Sequence, residues 1–239
     1  MMETLSPKKL EIQEREQKIL AVARSIVVRE GYQSLSMERI AGEVEYSRGT
    51  IYNHFSCKEE IIIALAEKGA AKRVEMFQEA ASYQAASRFR MLAICYAAER
   101  FAIDFPDHFL FEQIFNLDSV REKTSHQRQQ LIHTCEVQCM GIVTGVVRDA
   151  IAHGDLALPS DVTPERLVFG LWALTTGAYS LAFTSQSLSQ IGITDPSAIV
   201  RTHVCHLLDG YGWSPLSATH DVDEAFLQIE NILGESLSN

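Results

Sequence analysis

No stretch of this sequence approaches the roughly 20 consecutive apolar residues that a bilayer-spanning helix requires. Its first segment, MMETLSPKKLEIQEREQK, is too charged to hold the apolar centre of a secretory leader. Cysteine is sparse and odd in number: Cys57, Cys95, Cys135, Cys139 and Cys205. Four of the five sit among apolar residues of helix-like segments, so reduced thiols are expected rather than a disulfide framework. A cytoplasmic location follows as the expectation. Only six prolines interrupt 239 residues, which leaves room for long helices. No alternating run suggests a strand or hairpin, and no internal repeat is found. Ser-His-Asp ordering, a phosphate loop, HExxH and a glycine-rich nucleotide motif are all missing, which argues against an enzyme.

Basic charge is also in deficit, with 21 Lys and Arg against 31 Asp and Glu and a net charge of −10. Phosphate binding depends on Lys and Arg, so this balance first argues against a nucleic-acid partner. The deficit is uneven, however. Residues 1–58 hold nine basic against eight acidic side chains, whereas residues 59–239 hold twelve against twenty-three. One end of the molecule can therefore approach a polyanion while the remainder is repelled by it.

What remains is helix after helix. Ile12, Ile19, Ala23, Ile26 and Val27 recur at helical spacing over Ile12–Glu30, and Gly31 follows as a C-terminal stop. Ser36 caps a two-turn helix over Met37–Val44, and Ser47 caps another over Arg48–Phe55. A segment from Lys58 to about Ala81 has no breaker and suits a connector between domains. Further helices are expected at 87–104, after Pro106 at 107–117, and at His126–His153 beyond a charged loop near Ser119–Lys123. Thr163-Pro164 and Asp195-Pro196 open two long apolar helices, and Asp221 with Glu224 opens the last. The fold class is all-α: an N-terminal three-helix domain over 1–57 and a larger helical bundle over 58–239, with 58–81 as connector.

Two short helices joined by a tight turn can place the second in the major groove of a duplex. In MERIAGEVEYSRGTIYNHFSCKEEI, Ile40, Ala41, Val44, Ile51 and Phe55 would hold the pair against the first helix. Arg48, Thr50, Asn53 and His54 would then face outward as donors and acceptors. This stretch resembles the DNA-binding motif of the TetR family of bacterial regulators, over roughly residues 15–65. The resemblance implies a two-fold dimer, a double-stranded operator with inverted half-sites, and a small-molecule effector pocket in the larger domain. It also implies that Ser36 and Met37 meet phosphate, that Arg48, Gly49 and Thr50 enter the groove, and that Tyr52 and His54 clasp the backbone. Gly49 allows close approach. Lys58, at a helix start, can address a phosphate, while Arg48 suits a guanine edge and Asn53 an adenine. The family commonly has glycine where this chain has Glu45; a left-handed residue there implies strain or an altered turn, with an acid near phosphate.

Beyond the motif the signals are weaker. Phe101, Phe105, Phe109, Phe111 and Phe115 crowd around Pro106, either lining a ligand cavity or filling the core. His133, Trp172 and Tyr179 are candidates to supply polar tips to such a cavity. His133, Cys135, Cys139, His203, Cys205 and His206 could ligate a metal, but their spacing matches no recognised site and buried cysteine behaves as a small hydrophobe. No metal, cofactor or membrane is therefore expected. Leu167, Leu171, Leu174, Leu181, Val200, Val204 and Leu207 surround the two late helices, which by resemblance pair with their mates in a homodimer. The expectation is a repressor whose operator binding an effector releases by tilting the connector. The alternative is a helical interaction protein with a degenerate helix-turn-helix and no metabolite.

Overall fold

The capping residues visible in the sequence set the helix starts. In the computed structural model, which describes residues 6–185 and 187–238, the Ser36 hydroxyl accepts from the Arg39 amide and Ser47 from the Thr50 amide. Thr163 and Asp195 likewise accept from Arg166 and Ala198, each directly ahead of a proline at the first helical position. Asp221 accepts from the Glu224 amide at 3.1 Å.

The helices, in chain order, are α1 (Pro7–Glu30), α2 (Met37–Val44), α3 (Arg48–His54), α4 (Lys58–Ala81) and α5 (Ser87–Asp104). Then come α6 (Pro106–Phe115), α7 (Asp118–Arg121), α8 (His126–His153), α9 (Pro164–Thr184), α10 (Pro196–Gly210) and α11 (Val222–Ser238). No strand occurs among the described residues. Two differences from the sequence reading stand out. Helix α1 begins at Pro7 under a Ser6 cap rather than at Ile12, and the expected loop near Ser119–Lys123 contains the single turn α7.

Packing divides the chain into two compact units, and not at residue 57. One unit comprises Met1–Ala70 with Asp107–His133, the other Ala71–Pro106 with Thr134–Asn239. The physical reason lies in the first unit's core. Ile19, Ala23 and Ile26 of α1, Ile40 of α2, Ile51 of α3 and Ile61–Ala66 of α4 share one buried cluster with Phe111, Ile114 and Phe115 of α6, Val120 of α7 and Ile132 of α8. The first three helices alone cannot bury that much apolar surface, and each fully buried large aliphatic or aromatic side chain contributes about 1.5–3 kcal/mol. Acidic residues on the first turns of α4 tie the same segment down. Glu60 accepts from the Ser125 amide and pairs with Arg128 at 3.1 Å, while Lys123 lies 3.2 Å from Glu59.

The second unit is built around α5, which lies against α9, α10 and α11. Met91, Leu92, Ala93, Ile94, Cys95, Tyr96 and Ala97 are all buried, so α5 is apolar around its circumference, as a central helix must be. Two cations on this core are held by several partners each. Arg88 has no exposed side-chain surface and reaches the carbonyls of Trp213 (2.6 Å) and Cys205 (3.3 Å), the Ser217 hydroxyl (2.8 Å) and the Asp209 carboxylate (2.8 Å). Arg201 forks onto Glu99 at 2.8 and 2.5 Å. Replacing Arg88 by Met should cost about 3 kcal/mol in denaturant unfolding, since carbonyl and carboxylate oxygens lose their donor away from water; a loss below 1 kcal/mol would contradict this.

Glu45 closes α2 at φ 58° and ψ 35°, the one non-glycine left-handed residue among those described. The turn thus keeps the geometry that suits glycine and accepts strain instead of changing shape. Its Cβ crowds the following carbonyl. Glu45→Gly should therefore stabilise the protein by about 0.5–1 kcal/mol in the same measurement.

Candidate nucleic-acid interface

Helix α3 has only seven residues, and just one of them, Ile51, is buried. Its start is fixed twice, by the Ser47 hydroxyl accepting from the Thr50 amide at 3.1 Å and by the contact between Ser47 and Thr50 hydroxyls at 2.9 Å. Behind it, Phe55 is buried in the first unit's core. The residues left over are free to face outward: Arg48, Gly49, Tyr52 and Asn53 are exposed, and Thr50 and His54 half-buried. A Cβ added to Gly49 would meet only the Ser47 hydroxyl at 3.7 Å, so the chain itself does not require glycine there. Glycine instead leaves the backbone open to close approach from outside.

Two flanking groups complete the surface. Ser36 is half-buried at the α2 start and its hydroxyl is engaged as the cap. Lys58, at the first residue of α4, stands 4.3 Å over the Tyr32 ring, whose hydroxyl donates to Glu59 at 3.1 Å. Burial, then the neighbouring Glu59 charge, push the Tyr32 hydroxyl well above its ordinary pKa, so it stays a donor. Burial opposes ionisation of Glu59, but backbone N–H groups at the α4 start, Lys123 and Tyr32 prevail and hold its carboxyl below the usual range. The lysine is thereby aimed by an aromatic ring and a carboxylate that the sequence reading passed over.

Met37 requires a correction. Its side chain is buried in the core cluster, facing the same way as Ile40 and Ala41, so it cannot meet a phosphate. Only its backbone amide, in the first turn of α2, remains for that role. Other charges near the motif are already occupied. Arg39 forks onto Glu30 at 2.7 and 2.5 Å and reaches Glu43 at 3.2 Å. Arg48, in contrast, is 69% exposed and lies 3.7 Å from Glu38, a loose ion pair rather than a hydrogen bond.

The residues expected around a ligand are divided between the two compact units. Phe109, Phe115 and His133 belong to the first unit; the two phenylalanines are buried there and His133 is exposed. Phe101, Phe105, Trp172 and Tyr179 belong to the second. There Phe101 and Phe105 stack with centroids 6.3 Å apart, and Tyr179 is buried beside Leu171 and Thr175 on the inner stripe of α9. Trp172 is one residue, about 100° of helical turn, away from that stripe and is exposed in edge contact with Phe169. Burial, followed by the Glu99 charge, holds the Tyr179 hydroxyl protonated far above its ordinary range. An open cleft of about 350 Å³ in the second unit is lined by none of these residues but by Thr202, Cys205, His206, Ser217, His220 and the start of α11. One lining residue, Ser217, belongs to a 3-10 turn at Ser217–Thr219 that no sequence pattern announced. Of the metal-ligand candidates, His203 and His206 are exposed neighbours with centroids 6.4 Å apart, whereas Cys205 between them is buried.

With that geometry in hand, comparison with known proteins is specific for one part of the chain. Residues 19–65 match the sequence pattern of bacterial regulatory proteins of the tetR family. The HTH-type transcriptional repressor AcnR of Corynebacterium diphtheriae is 39% identical over 69 residues, which is 29% of this chain and 36% of AcnR. The alignment thus spans about a third of that relative. The fatty acid metabolism regulator protein of Bacillus subtilis is 23% identical over 181 residues, 72% of this chain and 91% of its own. Among solved structures, a tetR-family regulatory protein from Rhodococcus RHA1 superposes with a TM-score of 0.65 at 18% identity, covering 83% of this chain and 97% of that one. A TetR/AcrR-family regulator from Thermobifida fusca gives 0.62 at 22%, covering 83% and 98%. These two show the fold that the chain shares, and the sequence match to bacterial regulatory proteins of the tetR family is carried by the amino-terminal segment, residues 19–65.

Proposed function

We propose that the protein is a DNA-binding transcriptional regulator, a repressor that binds an inverted-repeat operator as a two-fold dimer and is released by a small-molecule effector. The observation that carries this reading is the outer face of α3. A seven-residue helix, capped and anchored by Ile51, carries Arg48, Thr50, Tyr52 and Asn53 outward with Gly49 open between them. In this reading Arg48 and Asn53 address base edges, while Tyr52, His54, Lys58 and the Ser36–Met37 turn hold phosphate. Such a surface has no use in an ordinary helical connection, which favours this reading over an interaction protein with a degenerate motif. The match to regulators in the same segment supports it independently.

The dimer is argued from α9. By length and composition this helix is apolar enough to cross a membrane, yet its inner stripe of Leu167, Val168, Leu171, Thr175 and Tyr179 is buried in the second unit. Its outer stripe leaves Phe169, Trp172 and Phe183 exposed. Exposed aromatics at that density on a soluble domain mark an interaction surface, and a second copy of α9 and α10 is the partner that the family resemblance implies. Helices α4 and α8 each run unbroken through residues of both compact units, which gives a covalent route by which an effector bound in the second unit could act on the first. Half-sites must be engaged about 34–36 Å apart, so a small change suffices to end binding.

Two measurements test the proposal. In duplex selection with purified protein, an inverted repeat should be enriched, with affinity falling steeply as salt rises; Arg48→Ala should weaken the selected site by about 1–3 kcal/mol without changing stability. No enrichment and no salt slope would end the operator reading. In light scattering the protein should have twice the chain mass. Phe169→Glu with Trp172→Glu should give monomers that lose the inverted repeat; a dimer unaffected by both changes would place the interface elsewhere.

A further inference from the structure

Near the outer face of α3 lies one acid that the DNA-binding reading does not use. Glu38, in the first turn of α2, is 49% exposed and is the ion-pair partner of Arg48, with Oε1 and Nη1 3.7 Å apart. Within the fold it has the modest gain of an acid at a helix start, and no closer role. The cap of α2 is supplied by Ser36, and Arg39 beside it is already taken by Glu30 and Glu43. An exposed carboxylate on a surface that meets phosphates lowers affinity for every duplex. Something in the bound state must therefore favour it if it is to be more than a burden.

We propose that Glu38 is a specificity-determining residue: together with Arg48 it reads a single G·C pair in each half-site, accepting a hydrogen bond from the cytosine amino group while Arg48 spans the guanine. The inference rests on the operator reading given above. The chemistry is selective because an ionised carboxylate only accepts, and in the major groove only cytosine N4 and adenine N6 donate. Guanine O6 and N7 and thymine O4 are acceptors, so Glu38 opposes them. The guanine acceptors that suit an arginine and the cytosine donor that suits a glutamate sit side by side on one base pair. The 3.7 Å between the two charged groups is close to the roughly 3.4 Å between stacked pairs, so both cannot be spread over distant positions. In the free protein the two groups already stand side by side as a loose, exposed ion pair. Glu38 thus trades affinity for discrimination: it weakens binding to unrelated DNA and penalises the wrong pair.

The test is selection from a randomised duplex library with the full-length wild type, Glu38→Gln, Glu38→Ala and a control, Glu43→Gln. Glu43 carries the same charge on the same helix but contacts Arg39, not Arg48. Each selected site is then measured with every base pair changed in turn, at one salt concentration. For wild type, changing the one G·C pair in each half-site should cost on the order of ten-fold in affinity. In both Glu38 variants that cost should fall to about two-fold or less while affinity for unrelated duplex rises several-fold, and the rest of the repeat should be unchanged. Glu43→Gln should raise unrelated binding but keep the ten-fold discrimination. Unfolding curves matching wild type confirm that the variants fold. If wild type selects a repeat and the Glu38 variants retain full discrimination at every position, the inference is overturned and the operator reading stands. If wild type selects nothing, the operator reading is overturned and the inference falls with it.

Discussion

A helix of seven residues is below the length at which helices hold themselves together in water. Everything proposed for α3 therefore depends on its attachment to the first unit's core through Ile51 and Phe55. That attachment separates two tasks along one short stretch. The inward positions are bound to be apolar and well packed, whereas Arg48, Gly49, Tyr52 and Asn53 are unconstrained by the fold and available for recognition. The same logic explains why the core recruits α6, α7 and the start of α8. Adding Phe111, Ile114, Phe115, Val120 and Ile132 enlarges the buried cluster that the first three helices begin. Glu59, Glu60 and Glu67 then fasten that addition through Lys123, Ser125 and Arg128.

Electrostatics is arranged against the simplest picture of a DNA-binding protein. Arg39 is sequestered by two glutamates, Arg48 faces a third, and Glu45 adds a fourth acid at the turn. Of the motif's cations, Lys58 is held over an aromatic ring and has no acidic partner of its own in the set that flanks α3. A surface of this kind gains little from charge alone, since each acid subtracts from the attraction that each cation supplies. Under the proposed operator binding it gains instead from directional contacts, where the placement of a donor or acceptor decides which base is tolerated. Weak general attraction with strong directional terms favours discrimination over affinity.

The sequence made the helix boundaries legible because capping is local. Ser36, Ser47, Thr163, Asp195 and Asp221 each accept from an amide three residues on, a relation wholly contained in four consecutive residues. The left-handed turn at Glu45 was legible for the same reason, and the structure shows which of two outcomes holds: strain, with the turn intact. What failed was anything that depends on rotation about a helix axis or on distant packing. Met37 and Trp172 each carry a side chain that suits either environment, and a single residue of phase decides between core and solvent. The division between units was illegible because residues 107–133 join the amino-terminal core across the intervening residues 71–106, and no spacing within that segment records the partnership.

The ligand candidates are divided between the units for a further reason. Aromatic crowding around Pro106 is a genuine signal of apolar burial, but burial can be satisfied on either side of the break. Phe101 and Phe105 precede or straddle the start of α6 and stack within the second unit, whereas Phe109, Phe111 and Phe115 lie along α6 and pack in the first. A cluster in sequence is thus divided at the proline, where α5 has ended and α6 begins. Polar groups give a firmer guide to the second unit's interior. Arg201 is forked onto the buried Glu99 and lies over the Tyr96 and Phe226 rings, and the Tyr179 hydroxyl senses the Glu99 charge. A buried ion pair costs desolvation and is often no better for stability than apolar packing. Its persistence beside an aromatic cage argues that fixed orientation of α10 against α5, more than stability, is what these residues secure.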